Sequence, residues 1–211
     1  MRVFLTGASS GLGAALARRY AGDGATLGLV ARREGELARL AASLAPATVA
    51  TYACDVRDSD ALAQAGADFI ARFGCPDVVI ANAGISRGFL TELLEDLPAM
   101  RAIFETNVYG IVHTFQPFVA AMAERRSGAL VGIASVAGFR GMPGSGAYCG
   151  SKSAAITYLE SLRVEMRPRG VDVVTICPGF IETELTAKNP YRMPFLLKAD
   201  DAARLVARAI E

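Results

Sequence analysis

Six short apolar runs alternate with longer segments of helical periodicity from one end of this chain to the other. Several runs are rich in Val and Ile and nearly continuous, which is typical of strands buried on both faces of a parallel sheet. The runs are Val3–Thr6, Thr26–Ala31, Thr48–Cys54, Asp77–Ala81, Ala129–Ala134 and Val171–Cys177. Because successive parallel strands are joined by right-handed crossovers, the alternation predicts a doubly wound α/β fold.

The segments between the runs predict the helices. Leu12–Gly22 is rich in Ala, and Glu34–Leu44 carries Leu at helical spacing. Thr91–Arg126 is long enough for two helices, with a break near Asn107-Val108-Tyr109-Gly110. Further helices are predicted over Asp58–Phe73, Ala147–Arg167 and Ala199–Glu211. No repeat, low-complexity tract or linker divides the chain, so residues 1–211 are expected to form a single Rossmann-type domain with helices on both faces of the sheet.

Charge and composition exclude several classes of partner. Lys and Arg number 22 and Asp and Glu 21, a formal net charge of +1 that leaves no electrostatic footprint for nucleic acid. The first apolar run is too short for a signal-peptide core, and no stretch approaches about 18 apolar residues, so we expect a cytoplasmic protein without a membrane span. The cysteines form no C-x-x-C pair and are expected to be small buried hydrophobes rather than metal ligands or disulfide partners. They are Cys54, Cys75, Cys149 and Cys177.

The first run leads directly into the glycine-rich sequence Thr6-Gly7-Ala8-Ser9-Ser10-Gly11-Leu12-Gly13. Glycines here let the backbone approach a pyrophosphate, and the N-terminus of the following helix offers unpaired N–H groups and a partial positive charge. The spacing departs from the G-x-G-x-x-G fingerprint, and a tight turn without a ligand is the alternative. Its place after the first strand favours a phosphate cradle, formed by Gly7, Ser9, Ser10, Gly11, Leu12 and Gly13.

The end of the second run indicates which dinucleotide would bind. Ala31 stands where NAD-binding folds place an acidic residue on the adenosine ribose, and Arg32 and Arg33 follow. Guanidinium groups form a fixed fork of donors that suits a 2′-phosphate. The sequence therefore favours NADP(H), with NAD(H) as the alternative cofactor. Both arginines could instead be solvated residues at the start of a helix.

A candidate acid–base pair lies at the start of a later helix. Tyr148 and Lys152 are four residues apart, which places them on one helix face. An ammonium group near a phenol favours the phenolate, so we expect the pKa of Tyr148 to fall from about 10 toward the working pH, as a general acid or base requires. Ser135, at the end of the fifth run, is placed to hydrogen-bond the same substrate oxygen.

Taken together, the motifs resemble those of the short-chain dehydrogenase/reductase family. They occur in the family's order between residues 6 and 183: Thr6-Gly-x-x-x-Gly-x-Gly, Asp55, Asn82-Ala83-Gly84, Asn107, Ser135, Tyr148-x-x-x-Lys152 and Pro178-Gly179-x-x-x-Thr183. The resemblance implies a single domain that binds the dinucleotide and also carries the catalytic and substrate sites. It implies an oxidoreductase that interconverts a carbonyl compound and its alcohol, with the hydride chemistry supplied by the cofactor.

The resemblance also implies a role for each matching residue. Tyr148 would exchange the proton, Lys152 would bind the nicotinamide ribose and lower the tyrosine pKa, and Ser135 would orient the carbonyl. Asn107 would hold a water in the proton relay. At the adenosine end the contacts would come from Asp55, Val56, Asn82, Ala83 and Gly84. The nicotinamide would be positioned by Pro178, Gly179, Ile181 and Thr183.

Simpler roles stay open for several of these residues. Asn107, Ser135 and Thr183 could cap or end elements of secondary structure, and Asn82-Ala83-Gly84 could be only a turn. His113 lies away from the motifs and is expected to be structural. Ser10 stands where many NADP-preferring relatives carry a basic residue, so phosphate selectivity would depend mainly on Arg32.

The chain ends after one helix beyond Pro178-Gly179, where many relatives add a strand and a helix. This puts the closure of the substrate pocket and the subunit contacts made by that tail in doubt. By analogy with relatives we expect a homodimer or homotetramer that pairs through Val108–Arg126 and Ala147–Arg167.

The substrate pocket is predicted from apolar residues at strand ends and in the last long loop. They are Ile85, Phe89, Val136, Phe139, Met142, Phe180, Leu185, Met193 and Phe195. They favour a small, mostly apolar ketone, aldehyde or secondary alcohol, while Arg87 and Arg140 would suit a charged substrate. Two other functions remain as alternatives. One is a catalytically silent NADP(H)-binding sensor or scaffold; the other is a nucleotide-sugar isomerase or dehydratase with transient hydride transfer.

Overall fold

A computed structural model describes residues 1–187 and 192–210. Its strands are β1 Arg2–Thr6, β2 Thr26–Ala31, β3 Val49–Ala53, β4 Val78–Ala81, β5 Ala129–Ile133 and β6 Asp172–Ile176. Its α-helices are α1 Gly11–Gly22, α2 Glu34–Ser43, α3 Ser59–Phe73, α4 Leu97–Phe104, α5 Gly110–Arg125, α6 Gly146–Met166 and α7 Ala199–Ile210. Short 3-10 turns cover Leu94–Asp96, Val136–Phe139 and Arg167–Arg169. Glu211, the last residue of the predicted final helix, lies outside the described residues.

The strands form one parallel sheet in the order β3-β2-β1-β4-β5-β6. Val3 of β1 pairs with Leu27 on one side and with Val78 on the other. The strand order therefore reverses between β1 and β4, which opens a crevice at the carboxyl ends of the strands where such sheets bind ligands. The predicted Rossmann-type α/β fold class is confirmed.

Successive side chains of each strand face opposite cores. Val3 and Leu5 lie in an apolar cluster with buried residues of α1, α2 and α7, whereas Phe4 lies in a second cluster with α3, α5 and α6. This explains why the strand runs read as almost uninterrupted apolar sequence: each face of the sheet is covered by helices. At Gly132 an added Cβ would lie 2.4 Å from Leu159 Cδ1, so α6 packs directly on β5. That packing brings the start of α6 beside the carboxyl end of β5.

The segment 97–125 differs from the prediction at its centre. A break was expected near Asn107, but α4 and α5 are instead joined by a π-helical turn, Glu105–Tyr109, that continues the helical path. A π-turn inserts one wider turn without ending the helix, and such turns often occur at functional sites. Asn107 is fully buried inside this turn.

The remaining sequence features are placed as follows. Cys149 is buried and the other three cysteines are half-buried, and all four are free thiols. His113, which we expected to be structural, has its Nδ1 2.9 Å from the Val56 carbonyl oxygen. Within residues 1–187 and 192–210, no helix is both long and apolar enough to cross a membrane. The same residues contain no group of three or more His, Cys, Asp or Glu side chains arranged to hold a metal ion.

Candidate active site

The glycine-rich sequence forms a tight turn between β1 and α1. Gly7 and Gly11 have φ angles of +69° and +52°, in the left-handed region that favours glycine. A Cβ on Gly13 would lie 2.1 Å from the Gly7 carbonyl oxygen, so no side chain fits there. Ser10 is the N-cap of α1, and its hydroxyl makes no capping hydrogen bond. The first N–H groups of α1 therefore face the groove without a side-chain acceptor, which is the arrangement that binds phosphate.

Asn82 fastens this turn to the neighbouring strand. Its Nδ2 donates to the carbonyl oxygens of Thr6 and Gly7, at 3.1 and 3.2 Å, and its backbone N–H donates to Thr6 Oγ1 at 3.3 Å. Ala83 packs so closely that a Cβ on Gly7 would lie 2.8 Å from its Cα. Asn82-Ala83-Gly84 is thus more than a turn, because it fixes the shape of the glycine-rich loop. Contact of these residues with an adenosine ribose stays a prediction.

The two arginines after β2 are each paired with a carboxylate. Arg32 Nη1 lies 3.7 Å from Asp55 Oδ2. Arg33 Nη1 lies 3.2 Å from Glu184 Oε2, and Arg33 Nη2 donates to Ser9 Oγ at 3.3 Å. Ser9 belongs to the glycine-rich turn, so Arg33 connects that turn with the segment after β6. Sequence reasoning did not identify Glu184, because nothing local marks a residue 151 positions from Arg33 as its partner.

Asp55 lies at the carboxyl end of β3, where its carboxylate is engaged by Arg57. Arg57 donates its backbone N–H to Oδ1 at 3.0 Å and its Nη2 to Oδ2 at 2.8 Å. Burial alone would raise the pKa of Asp55, but the hydrogen bonds from Arg57 outweigh it and the pKa lies below its usual value. The next residue, Val56, is held by His113 and by Gly110, where a Cβ would lie 2.8 Å from Val56 Cγ2. The strand end predicted to face adenine is therefore held firmly from the side of α5.

Tyr148 lies in the first turn of α6, and Ser135 follows the end of β5 after one residue, Ala134. The close packing of α6 on β5 brings the Ser135 side chain near enough to the Tyr148 phenol to affect its pKa. Ser135 Oγ also accepts the Ala137 N–H at 3.1 Å, which orients the serine side chain. Burial raises the pKa of Tyr148, and the hydrogen bond with Ser135 partly opposes that rise. The structure thus brings together two of the four residues predicted to be catalytic.

Lys152 lies one turn further along α6 and is only 4% exposed. Its Nζ donates to the Ile133 carbonyl oxygen at 2.8 Å and lies 5.8 Å from the centre of the Tyr148 ring. Burial lowers the pKa of Lys152 to about 8. The expectation that Lys152 lowers the pKa of Tyr148 is wrong for this structure, where the tyrosine pKa is raised. The physical reason is that desolvation of the phenol dominates while the ammonium group is bonded to a backbone carbonyl.

Asn107 completes the group, but through contacts that were not predicted. Its Oδ1 accepts the Ile85 N–H at 2.8 Å, while its Nδ2 donates to the Ile85 carbonyl oxygen and to Ser151 Oγ, each at 3.0 Å. Ser151 in turn donates to the Tyr148 carbonyl oxygen at 2.7 Å. Both amide hydrogens of Asn107 are therefore committed to protein groups. The sequence analysis missed Ser151, because the Tyr-x-x-x-Lys motif specifies only its first and last residues.

Gly84 shows how closely these elements converge. A Cβ there would lie 3.4 Å from Asn107 Oδ1 and 3.5 Å from Lys152 Nζ. Asn107 and Lys152 thus flank the loop after β4, beside the glycine-rich turn that Asn82 fastens. The predicted catalytic residues and the predicted cofactor cradle belong to one continuous site.

The segment after β6 crosses back over the glycine-rich turn. The Pro178 carbonyl oxygen accepts the Val136 N–H at 3.0 Å, beside Ser135, and Ile181 forms a bridge with Leu197. Thr183 lies against the turn, where a Cβ on Gly11 would be 2.9 Å from Thr183 Cγ2. Gly179 is exposed between these points. The four residues predicted to position the nicotinamide therefore lie between Ser135 and the glycine-rich turn.

The predicted pocket residues divide by exposure. Four are half-buried: Ile85, Phe89, Phe180 and Met193. Five are exposed: Val136, Phe139, Met142, Leu185 and Phe195. Phe195 is 94% exposed, so it does not line an enclosed pocket in this structure. Arg87 and Arg140 are exposed as well.

Comparison with known proteins agrees with this geometry. A family model described as short chain dehydrogenase matches residues 1–193. An uncharacterised oxidoreductase of Myxococcus xanthus is 41% identical over 98% of this chain and 82% of its own length. Among solved structures, an alcohol dehydrogenase of Thermococcus sibiricus complexed with 5-hydroxy-NADP is 29% identical, with a TM-score of 0.87 over 97% of this chain and 88% of its own. A 3-ketoacyl-ACP reductase of Sinorhizobium meliloti is 28% identical, with a TM-score of 0.89 over 100% of this chain and 92% of its own.

Proposed function

The chain belongs to the short-chain dehydrogenase family, a family of oxidoreductases, and from this premise we propose that it is an NADP(H)-dependent enzyme. Its substrate is a small, mostly apolar ketone or aldehyde, or the corresponding alcohol. The observation that carries the proposal is the meeting of Tyr148, Ser135 and Lys152 beside the glycine-rich turn. A phenol that lies beside a serine side chain and a buried ammonium group is suited to exchange a proton with a carbonyl oxygen.

The residues around the crevice fit a phosphorylated dinucleotide. Gly7, Gly11 and Gly13 leave no room for a side chain, and the Ser10 side chain does not cap the N-terminus of α1, which suits a pyrophosphate. Arg32 and Arg33 supply guanidinium groups for a 2′-phosphate, and Asp55 with Val56 would contact the adenine. NAD(H) is the alternative cofactor. When bound, the nicotinamide ring supplies or accepts the hydride.

The protein's own contribution is proton transfer and orientation. In carbonyl reduction the Tyr148 hydroxyl gives its proton to the substrate oxygen, while Ser135 donates a hydrogen bond to the same oxygen and directs it toward the tyrosine. The tyrosine is left as a phenolate, and the buried ammonium group of Lys152 lies 5.8 Å from the centre of its ring.

In this proposal Asn107 positions the loop after β4 and α6 and takes no part in the reaction itself. Because both hydrogens of its amide are already used, a relay water would have to be held through the remaining lone pair or the backbone of the π-turn. Its side chain instead ties the loop after β4 to α6 through Ser151. Removing this tie would displace Tyr148 relative to the cofactor groove.

We also propose a homodimer or homotetramer that pairs through α5 and α6. Each helix region presents a large, exposed apolar side chain: Tyr109 is 59% exposed and Val164 is 75% exposed. Light scattering coupled to size-exclusion chromatography measures the mass directly. A mass of one chain, 22.2 kDa, would contradict the pairing.

The experiment is a titration with NADPH and NADH, followed by cofactor fluorescence, and then addition of a panel of apolar ketones and aldehydes. NADPH binding with net NADPH consumption supports the reductase. Binding without turnover of any panel member favours a silent sensor. Product formation without net NADPH consumption favours an isomerase or dehydratase with transient hydride transfer. Failure to bind either cofactor would refute the phosphate cradle.

A further inference from the structure

One ion pair spans the mouth of the proposed cofactor groove. Arg33 comes from the turn between β2 and α2, and Glu184 from the segment after β6. Their nearest charged atoms are 3.2 Å apart, and the arginine also donates to Ser9 Oγ at 3.3 Å. The guanidinium group is therefore held at two points, by Glu184 and by Ser9. Ser9 belongs to the glycine-rich turn, so this contact places Arg33 over the site where phosphate is expected.

Arg32 is held far less tightly. Its contact with Asp55 is 3.7 Å long, and the same carboxylate oxygen accepts a 2.8 Å hydrogen bond from Arg57. The Arg32 side chain is 60% exposed. Of the two adjacent arginines, one is thus available to an incoming anion and the other is already occupied by a carboxylate.

We propose that Glu184 is a specificity-determining residue that competes with the 2′-phosphate of NADP(H) for Arg33. The inference rests on the proposed function, because it needs a cofactor to bind between these segments. A phosphate monoester carries a charge of about −1.5 to −2 and offers three acceptor oxygens to the guanidinium fork. Glu184 must either leave Arg33 or stay close to that phosphate, where the like charges repel. NAD(H) has no 2′-phosphate and meets neither cost.

The size of the effect follows from exposure. The two side chains are 48% and 69% exposed, so water and salt screen the pair. Exposed ion pairs of this kind contribute between about 1.4-fold and about 5-fold in an equilibrium constant. Glu184 is therefore expected to weaken NADPH binding by about 1.4- to 5-fold, and to lower the ratio of NADPH to NADH affinity by the same factor.

The experiment compares Glu184→Gln with Glu182→Gln, which removes the same charge from an exposed glutamate two residues away. Dissociation constants for NADPH and NADH are measured by cofactor fluorescence at low and at moderate ionic strength. We expect Glu184→Gln to tighten NADPH binding by about 1.4- to 5-fold and to leave NADH binding unchanged. The gain should shrink as salt is added. Glu182→Gln should leave the ratio of the two affinities within error of the unaltered protein.

A double variant locates the effect. With Arg33→Gln already present, Glu184→Gln should no longer change the ratio, because the carboxylate then has no partner to occupy. Equal tightening of NADPH and NADH would overturn the proposal, since it would mean that Arg33 serves the pyrophosphate. If Glu184→Gln bound NADPH more weakly than the unaltered protein, the proposal would also be overturned, because Glu184 would then orient Arg33 for the phosphate.

The same titrations separate this inference from the proposed function. If the unaltered protein binds neither cofactor, both fail together. If it binds NADPH but Glu184→Gln leaves the ratio unchanged, only the competition fails. The far-ultraviolet circular dichroism of each variant checks that the fold is retained.

Discussion

Replacing Asn107 by Leu is expected to lower the free energy of unfolding by about 3 kcal/mol. The amide makes three hydrogen bonds of 2.8 to 3.0 Å, two to the Ile85 backbone and one to Ser151 Oγ. Each such bond contributes about 1 kcal/mol, and a buried partner left without one costs about 1 to 3 kcal/mol. Asn107 is fully buried, but Ile85 is half-buried and water can reach part of its backbone, so the lower value applies there.

The assay is urea unfolding followed by circular dichroism, with the slope against urea checked for constancy. For a domain of this size, about 3 kcal/mol also corresponds to a fall in Tm of about 6 to 12 °C. Ser151→Ala is the matched variant: it removes one of the three partners of Asn107 and also the hydrogen bond to the Tyr148 carbonyl oxygen, so it should cost about 2 kcal/mol. If the free energy of unfolding of Asn107→Leu were within about 0.5 kcal/mol of that of the unaltered protein, the hydrogen bonds of Asn107 would not stabilise the fold, because water would replace the amide.

Three further outcomes are expected. Lys152 loses its charge above its pKa of about 8, so the reduction rate should fall as pH rises through that value; a rate that stays level up to about pH 10 would show that the reaction does not need the charge of Lys152. Gly13→Ala should abolish binding of both cofactors in a fluorescence titration, because its Cβ would lie 2.1 Å from the Gly7 carbonyl oxygen, and unchanged binding would mean that the turn can open. Burial would raise the pKa of Asp77, but hydrogen bonds from Arg2 outweigh it and lower the pKa. Its stabilising effect is therefore present above the unfolded pKa, about 3.9, and lost as pH falls through the lower folded value. Asp77→Asn should cost about 1 kcal/mol at pH 7 in urea unfolding and remove that part of the acid dependence, and equal acid dependence in both proteins would refute it.

The fold was predictable because the four central strands, β1, β2, β4 and β5, are buried on both faces, whereas each helix is buried on one. Because of that burial, strands and helices differ in the spacing of their apolar residues, and the sequence shows which is which. The predicted bounds of β2 agree with the structure at both ends. The centre of the segment 97–125 was not predictable in the same way. Asn107 and Gly110 are residues that often end a helix, so the sequence suggests a break. The structure has a π-turn there instead, which keeps helical dihedral angles and continues the backbone hydrogen bonding.

The candidate site was predictable where spacing along one element decides geometry. Tyr148 and Lys152 share a helix face, and that relation follows from their separation alone. The pKa of Tyr148 was not predictable, because it depends on how completely β5 and α6 exclude water from the phenol. Glu184 was missed for a related reason: its contact with Arg33 exists only after β2 and the segment following β6 have come together.

The central claim is that Tyr148 transfers the proton, and single-turnover reduction in a stopped-flow instrument tests it most directly. NADPH oxidation by a reactive panel substrate is followed in the unaltered protein, in Tyr148→Phe and in Tyr158→Phe, which removes a hydroxyl from a half-buried tyrosine of the same helix. We expect Tyr148→Phe to slow the step by at least about 100-fold while its NADPH affinity stays within about threefold, and Tyr158→Phe to react normally. A Tyr148→Phe protein that keeps a tenth or more of the rate would contradict the claim.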